Sequence, residues 1–234
     1  GEAPDKGFPA FMDSPRYATG YTALFNTMGT VAETHMLKPY ADRVKATYEY
    51  MLSSLEYVGK NRSEIQKKMA ESAAELRPGK KYTLRWKLNE NKHRLLDFKG
   101  YEARQKTSAV SGTPRLYYDR TKPFNRKVKF FDEYSSELQV TVPRYYVVPK
   151  SERTVIEHLK RNRIQMRELH RDSAVMVEMY TIVDFQTVTS PYEGHYLHYD
   201  TQTKSEFMNI KINKGDFLVP GAQEGVKYLL ETLE

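Results

Sequence analysis

The sequence contains no cysteine, and this absence excludes several kinds of chemistry. Disulfide bridges, thiolate nucleophiles and cysteine-ligated zinc sites all require that residue. Long apolar runs are also missing, since no stretch approaches the roughly 20 residues that a membrane-spanning helix needs. No apolar segment typical of a secretory signal peptide stands near the first residue. The composition excludes collagen-like, mucin-like and coiled-coil rods. The 234 residues therefore predict one large domain or two small ones.

Lysine and arginine exceed the acidic residues only moderately, by 37 to 30, which leaves a net charge of +7. A basic patch can bind nucleic acid, and the densest patches are residues 80–81, 122–129 and 160–167. We interpret this basic excess as spread along the chain. At this density a basic patch is more often a solvated face than a binding site. We therefore expect no nucleic-acid partner. The apolar fraction is low, but 18 Tyr and 10 Phe can still form a core.

The first 78 residues are predicted to be mainly helical. Residues 30–34 are rich in β-branched residues and follow a glycine, which predicts a short buried strand. Apolar residues at spacings of three and four then predict a long helix over residues 37–59. Ser63 and Gln66 form a capping box for a second helix, which we expect to end at residues 77–79.

Beyond residue 80 the apolar period changes from that of a helix to that of a strand. Apolar and polar residues alternate between Tyr82 and Leu88, which predicts a half-buried strand. A short helix is expected over residues 152–161, and the last residues have a helical pattern. Further strands are predicted at residues 95–103, 115–118, 127–131, 138–142, 145–148, 174–185, 208–212 and 217–219.

These patterns predict an α+β protein with a domain boundary at residues 77–80. The helical piece covers residues 1–78. The β-rich piece covers residues 79–234 and is expected to be a mainly antiparallel, sandwich-like domain, because short strands recur at regular intervals along it.

Metal-ligand motifs are scarce in the sequence. It contains six His but neither H-E-x-x-H nor H-x-x-E. His195 and His198 are the only His pair at ligand-like spacing, and with Glu193 they could form a two-His, one-carboxylate site. On a strand, positions three apart face opposite sides, so the alternative is a loop or edge strand with exposed imidazoles. Nucleophile elbows and glycine-rich phosphate loops are absent too.

Glu33 follows the short strand predicted at residues 30–34 and precedes a polar turn that contains His35. Catalytic groups often lie at strand ends, where loops open a cleft. A half-buried carboxylate there can have a raised pKa and act as a general base. Alternatively, a Glu before a helix simply interacts favourably with the positive end of the helix dipole. The residues themselves leave both interpretations open.

Residues 17–40, YATGYTALFNTMGTVAETHMLKPY, resemble the end of the catalytic domain in the zinc carboxypeptidases, the carboxypeptidase A-like peptidases. They resemble most the multidomain, Bacteroidetes-type members. Later segments resemble the β-rich region that follows the catalytic domain in those relatives, namely VPRYYVVP, SPYEGHYLH and KGDFLVP. In that family a strand delivers a catalytic Glu, and a C-terminal helix packs back on the sheet. The resemblance implies that Glu33 is the catalytic Glu and that residues 37–59 form this helix.

The sequence also departs from the family pattern. The family's zinc ligands, an H-x-x-E pair and a distant His, lie upstream of the catalytic Glu, as does its carboxylate-binding Arg, and none of these motifs is present here. We therefore expect a C-terminal fragment of a zinc metallocarboxypeptidase. Residues 1–78 would be the helical remnant of its α/β peptidase domain, and residues 79–234 an accessory β-domain. The parent would use zinc and a peptide substrate, whereas the fragment alone would bind no catalytic zinc and be inactive.

The resemblance carries further expectations. The family has a substrate-facing Tyr upstream of the Glu, which makes Tyr17 and Tyr21, together with His35, the substrate-binding candidates. It also implies a periplasmic or secreted protein. Truncation would expose apolar surface at residues 21–58, which invites self-association. The alternative function is a non-catalytic module whose exposed tyrosines, such as Tyr192 and Tyr196, bind peptide or glycan.

Overall fold

The computed structural model describes residues 6–234, and it confirms a mixed α+β chain with several antiparallel strand pairs. The helices, in chain order, are α1 (Ala18–Ala23), α2 (Tyr40–Lys60), α3 (Arg62–Glu75), α4 (Arg153–Arg161) and α5 (Val226–Leu233). The strands are β1 (Phe8–Pro9), β2 (Lys81–Leu88), β3 (Arg94–Thr107), β4 (Pro114–Phe131), β5 (Tyr134–Thr141), β6 (Tyr145–Val148), β7 (Arg167–Glu168), β8 (Ser173–Thr187), β9 (His198–Ile212) and β10 (Phe217–Pro220). None of these helices is both long and apolar enough to cross a membrane.

The strands form four small sheets in the described part of the chain. Two sheets have three strands, in the orders β1-β4-β3 and β6-β10-β7, and two have two strands, β2-β5 and β8-β9. All pairs are antiparallel except β1 with β4. Strands β3 and β4 form one long hairpin, and β8 and β9 form another, because consecutive antiparallel strands need only a short connection.

The chain divides into two compact units. The first contains the residues up to Val142 together with Val226–Glu234, and the second is Pro143–Gly225. The predicted boundary at residues 77–80 lies inside the first unit. At this position the chain makes a turn, in which the Lys80 N–H donates to the Arg77 carbonyl at 2.9 Å.

The core of the first unit is built around helix α5. Val142, Val226 and Leu230 are buried together there. Half-buried apolar residues pack on this cluster, namely Leu76, Tyr82, Leu84 and Val140. The C-terminal helix therefore joins the end of α3 to the β2-β5 sheet, and its apolar face explains why the last residues of the sequence fold as a helix.

The second unit has its own core. Helix α4 contributes Ile156 and Leu159, and β10 contributes Val219, which is fully buried. Asp216 is the buried acidic residue of this unit. It accepts hydrogen bonds from the backbone N–H groups of Asn213 at 2.7 Å and Lys150 at 3.0 Å. These two bonds lower the pKa of Asp216 and fix the turn before β10.

Several predicted elements are confirmed. The strand predicted at residues 145–148 is β6 with the same bounds, and the strand predicted from Tyr82 is β2. The helices predicted at 37–59 and 152–161 are α2 and α4. The segments predicted at 115–118 and 127–131 prove to be one continuous strand, β4.

Two local predictions are wrong. Residues 30–34 form no strand and are mostly exposed. A strand requires a partner for its N–H and C=O groups, and within residues 6–234 this segment pairs with none. The predicted capping box is also absent, because α3 begins at Arg62 and its N-cap, Asn61, makes no side-chain capping bond.

Candidate functional site

Tyr17 and Tyr21 lie on the short helix α1 and its N-cap. The Tyr21 N–H donates to the Tyr17 carbonyl at 2.8 Å. The Tyr17 ring meets Phe11 edge-on at 4.9 Å, and the Tyr21 ring meets Phe25 at 5.5 Å. Phe25 in turn stacks on Tyr228 of α5 at 5.8 Å. Aromatic contacts thus connect Tyr21 to the C-terminal helix, whereas Tyr17 contacts Phe11, and each tyrosine is about two-fifths exposed.

Glu33 and His35 lie on the irregular segment between α1 and α2, and both are exposed. The Nδ1 atom of His35 accepts a hydrogen bond from the Leu37 N–H at 3.2 Å, which closes the turn before α2. The sequence predicts that Glu33 lies at a strand end. This prediction is wrong, because the structure has no strand at residues 30–34. The structure places Glu33 on the same chain segment as His35, whereas Tyr17 and Tyr21 lie at helix α1.

Helix α2 presents an apolar face that nothing in the described residues covers. Its 21 residues include no buried one. Leu55, for example, is 67% exposed and Tyr40 is 74% exposed. Six of its exposed apolar residues are Tyr40, Val44, Tyr48, Met51, Leu55 and Val58. They recur at spacings of three and four, so they form one stripe along the helix, and such a stripe ordinarily packs against another element.

The alternative metal site, Glu193 with His195 and His198, lies at the turn between β8 and β9. Glu193 and Gly194 have φ angles of +50° and +81°, and the Tyr192 and His195 N–H groups each donate to the other residue's carbonyl, at 2.9 and 3.1 Å. Successive positive φ angles are typical of a tight type I′ hairpin turn, and Gly194 suits its second position.

His198 is turned toward β8 instead of toward this hairpin turn. Its Nδ1 lies 2.8 Å from the Thr187 hydroxyl, and its ring meets Phe185 edge-on at 5.0 Å. Among residues 6–234, no three His, Asp or Glu side chains are grouped so that they could hold a metal ion. The described residues therefore do not fit a zinc site.

The β3-β4 hairpin contains the basic patch at residues 122–129, which the sequence predicts to be a solvated face. Cations lie over its aromatic rings: Arg94 over Phe130 at 4.9 Å, and Arg126 over Phe124 at 3.8 Å. Lys106 lies over Tyr117 at 5.0 Å in the same way. Contacts of this kind hold a cation in place while leaving its charge accessible. The sequence signal for this hairpin is the mixture of basic and aromatic residues in β4. It becomes clear when the charges of residues 94–131 are counted separately from the rest of the chain.

A glycine shapes the middle of this hairpin. Gly100 lies opposite Phe124, and a Cβ atom at Gly100 would stand 2.7 Å from the Phe124 ring. Glycine therefore lets the ring lie across the strand, which is one recognised use of glycine in sheets. An open concavity of about 460 Å³ lies beside it, lined by Lys99, Gly100, Tyr101, Pro123, Phe124 and Asn125.

Comparisons of this chain with protein-family models, curated proteins and solved structures found no match. A function for this chain is therefore inferred from its own residues. Two features carry it: the exposed segment around Glu33 with the uncovered helix that follows, and the basic hairpin.

Proposed function

We propose that this chain is part of a zinc-dependent metallocarboxypeptidase and that Glu33 is its general base. The proposal starts from the likeness of residues 17–40 to the family's catalytic segment. In it, residues 1–78 belong to the peptidase domain, and residues 79–234 form a sandwich-like accessory domain. Zinc would be held by residues outside the described chain, since no group within residues 6–234 suits a metal ion. By itself this chain is expected to be inactive.

The observation that supports this proposal most is the uncovered apolar face of α2. The helix directly after a catalytic Glu is the one that, by the resemblance, packs on the sheet of the peptidase domain. In this chain its apolar stripe, from Tyr40 to Val58, is exposed. A helix of 21 residues without a fully buried side chain gains little stability from tertiary packing. The proposed peptidase domain would supply the missing cover, and without it the same face would favour the self-association expected above.

The chemistry proposed for Glu33 is proton transfer. Its carboxylate would take a proton from the water that attacks the peptide carbonyl and would deliver that proton to the leaving amine. Zinc, when bound by the intact enzyme, would activate that water and polarise the carbonyl. Tyr17, Tyr21 and His35 are proposed to contact the peptide substrate. A periplasmic or secreted location is part of the same proposal.

The test is Glu33→Gln in the intact protein, assayed for carboxypeptidase activity at matched zinc content. Gln keeps the size of Glu but cannot accept the proton, so kcat is expected to fall about 100- to 10,000-fold. Zinc content is expected to stay the same. The matched control is Glu64→Gln, an exposed residue of α3, which is expected to leave kcat unchanged. Activity within a few-fold of wild type would overturn the role of Glu33, and joint loss of zinc and activity would identify it as a ligand.

A second candidate function is binding of peptide or glycan by exposed tyrosines of the second unit. Tyr192, Tyr196 and Tyr199 are each about half exposed near the tip of the β8-β9 hairpin. Exposed tyrosines provide apolar contact together with a hydroxyl group. If this candidate is right, Tyr196→Ala weakens ligand binding in an equilibrium titration while Glu33→Gln leaves it unchanged. The opposite pattern would contradict it.

A further inference from the structure

The net positive charge of this protein is located in the β3-β4 hairpin. Residues 94–131 contain ten Lys and Arg but only three Asp and Glu, a net charge of +7, which equals the net charge of the whole chain. The rest of the sequence contains 27 of each kind and is neutral. The excess of basic over acidic residues therefore lies in this one segment, although basic residues occur throughout the sequence. A potential of this kind attracts acidic partners.

Few carboxylates neutralise this hairpin from within. Asp97 pairs with Lys127 at 2.7 Å, Asp132 pairs with Arg94 at 2.6 Å, and Arg104 lies 3.2 Å from Glu102. In residues 6–234 no ion pair involves the exposed cations Lys99, Arg115, Arg120, Lys122 and Lys129. Lys122 acts on Asp119 electrostatically, and the other four cations have their charge available for a partner.

The hairpin also has a long unpaired edge. The sheet order is β1-β4-β3, so within the described residues β3 pairs with β4 alone along all 14 of its residues. An edge strand carries a row of N–H and C=O groups that can pair with another extended chain. The positive charges of two copies would repel each other at this edge, whereas an acidic segment would be attracted. The same charges thus disfavour self-pairing and favour an acidic partner.

We propose that the free edge of β3 binds an extended, acidic polypeptide segment as an additional strand. Main-chain hydrogen bonds along the edge would supply the affinity, and Lys99 and Lys106 of β3 would select carboxylates on the added strand. The unpaired main-chain edge favours a polypeptide over a nucleic acid, because a nucleic acid has no row of N–H and C=O groups at strand spacing. Phe124 and Tyr117 are half-buried beneath Arg126 and Lys106, so they are covered where bases would have to stack. The proposal does not depend on the role of Glu33.

The first experiment compares two synthetic peptides on the whole 234-residue chain by fluorescence anisotropy. One is a decapeptide of alternating Glu and Val, and the other has the same sequence with every second amide N-methylated. The methylated peptide keeps its charges but cannot form the ladder of hydrogen bonds. We expect the unmodified peptide to bind at least about tenfold more tightly. Equal binding of the two peptides, or no binding of either, would overturn the proposal.

The second experiment reverses charge on the edge strand. The double variant Lys99→Glu with Lys106→Glu is expected to weaken peptide binding by about tenfold, because each reversed pair places like charges opposite each other. The matched control is Lys87→Glu with Lys204→Glu, which changes the net charge equally at exposed lysines outside the hairpin. It is expected to stay within about twofold, because a distant charge is screened by salt.

A third arm titrates a single-stranded oligonucleotide of equal net charge at the same salt concentration. Tighter binding of the oligonucleotide than of the unmodified peptide would replace the proposed partner with a nucleic acid. Circular dichroism shows whether each variant is folded. If the edge variant is unfolded, the comparison of the two peptides on wild-type protein still decides the proposal.

Discussion

Tyr82 and Glu231 form the most perturbed titratable pair of the first unit. The Tyr82 hydroxyl donates to the Glu231 carboxylate at 2.8 Å, and both side chains are partly buried. Burial raises the pKa of Glu231, although the hydrogen bond from Tyr82 acts in the opposite direction. Burial, and then the charge of Glu231, raise the pKa of Tyr82. This contact fastens α5 to β2, but it keeps a carboxylate where water is scarce.

The raised pKa of Glu231 determines how its contribution to stability depends on pH. The folded state holds the carboxyl proton more tightly than the unfolded chain does, so this contribution is complete below the ordinary value of 4.5 and is lost as the pH rises. Glu231→Gln keeps an acceptor for the Tyr82 hydroxyl and removes the charge. We expect the variant to be more stable than wild type at pH 8, by about 0.5 kcal/mol, since the site is partly solvated.

The measurement is urea unfolding of both proteins at pH 4 and pH 8, and the gain is expected only at pH 8. Glu90→Gln serves as the control, because Glu90 is exposed in a turn and its loss is expected to change nothing at either pH. A Glu231→Gln variant that is less stable than wild type at pH 8 would mean that the ionised carboxylate stabilises the fold.

At the scale of elements, two amphipathic helices of this chain have opposite surroundings. In α5, Leu229 and Leu230 are fully buried, and Lys227 donates to the side chains of Asn26 at 2.7 Å and Ser72 at 3.1 Å. Burial lowers the pKa of Lys227. In α2 the apolar face is exposed. One helix therefore closes the first unit, while the other contributes nothing to its core.

The same substitution in the two helices is expected to have different effects. Leu230→Ala removes a fully buried side chain from the core around Val142, and such changes cost about 2–5 kcal/mol. Leu55→Ala acts on a residue that is 67% exposed, and surface changes usually stay within about 0.5 kcal/mol. Chemical denaturation of each variant gives both values.

The longer protein of which this chain is proposed to be a part, here called the intact protein, offers a sharper comparison for Leu55. If α2 packs on a peptidase domain there, Leu55→Ala is expected to destabilise the intact protein although it leaves this chain unchanged. An equally small effect in both proteins would remove the main support for the proposed function. A large effect in this chain alone would mean that the face is already covered, for instance by a second copy.

At the scale of the whole molecule, the second unit is continuous in sequence and is inserted into the first. Strand β6 pairs with β10, which places Tyr145 opposite Pro220, and the Gly221 N–H donates to the Arg144 carbonyl at 2.9 Å. The two ends of the unit are therefore adjacent. A unit with adjacent ends and its own core is typical of an independently folding domain.

We expect residues 143–225 to fold when expressed alone. Circular dichroism and a dispersed amide NMR spectrum would show it, and thermal unfolding should be cooperative. The control is Val219→Asp, which places a charge at a fully buried position and is expected to abolish folding. A poorly dispersed spectrum from the unsubstituted fragment would contradict its independence.

The sequence predicted some parts of this molecule well because the determining forces are local. The strand at β6 and the long helix α2 follow from the apolar period, which acts over a few positions. Residues 30–34 have the composition of a strand, but a strand also requires a partner, and that requirement is not local. Pairing with a partner strand also explains why two predicted segments proved to be one strand, since β4 pairs with β3 along its length.

The sequence by itself determined the α+β class, the absence of cysteine chemistry and the positions of most elements. The roles of Glu33, Tyr17, Tyr21 and His35 come from resemblance and stay predictions. Only the tertiary structure decided which apolar faces are buried, since α2 and α5 both have an apolar face but only that of α5 is buried. It also decided that residues 94–131, whose excess of basic residues is already visible in the sequence, pair as one hairpin with β3 at the sheet edge. Burial and electrostatic potential depend on which residues meet in space, and a linear pattern does not contain that information.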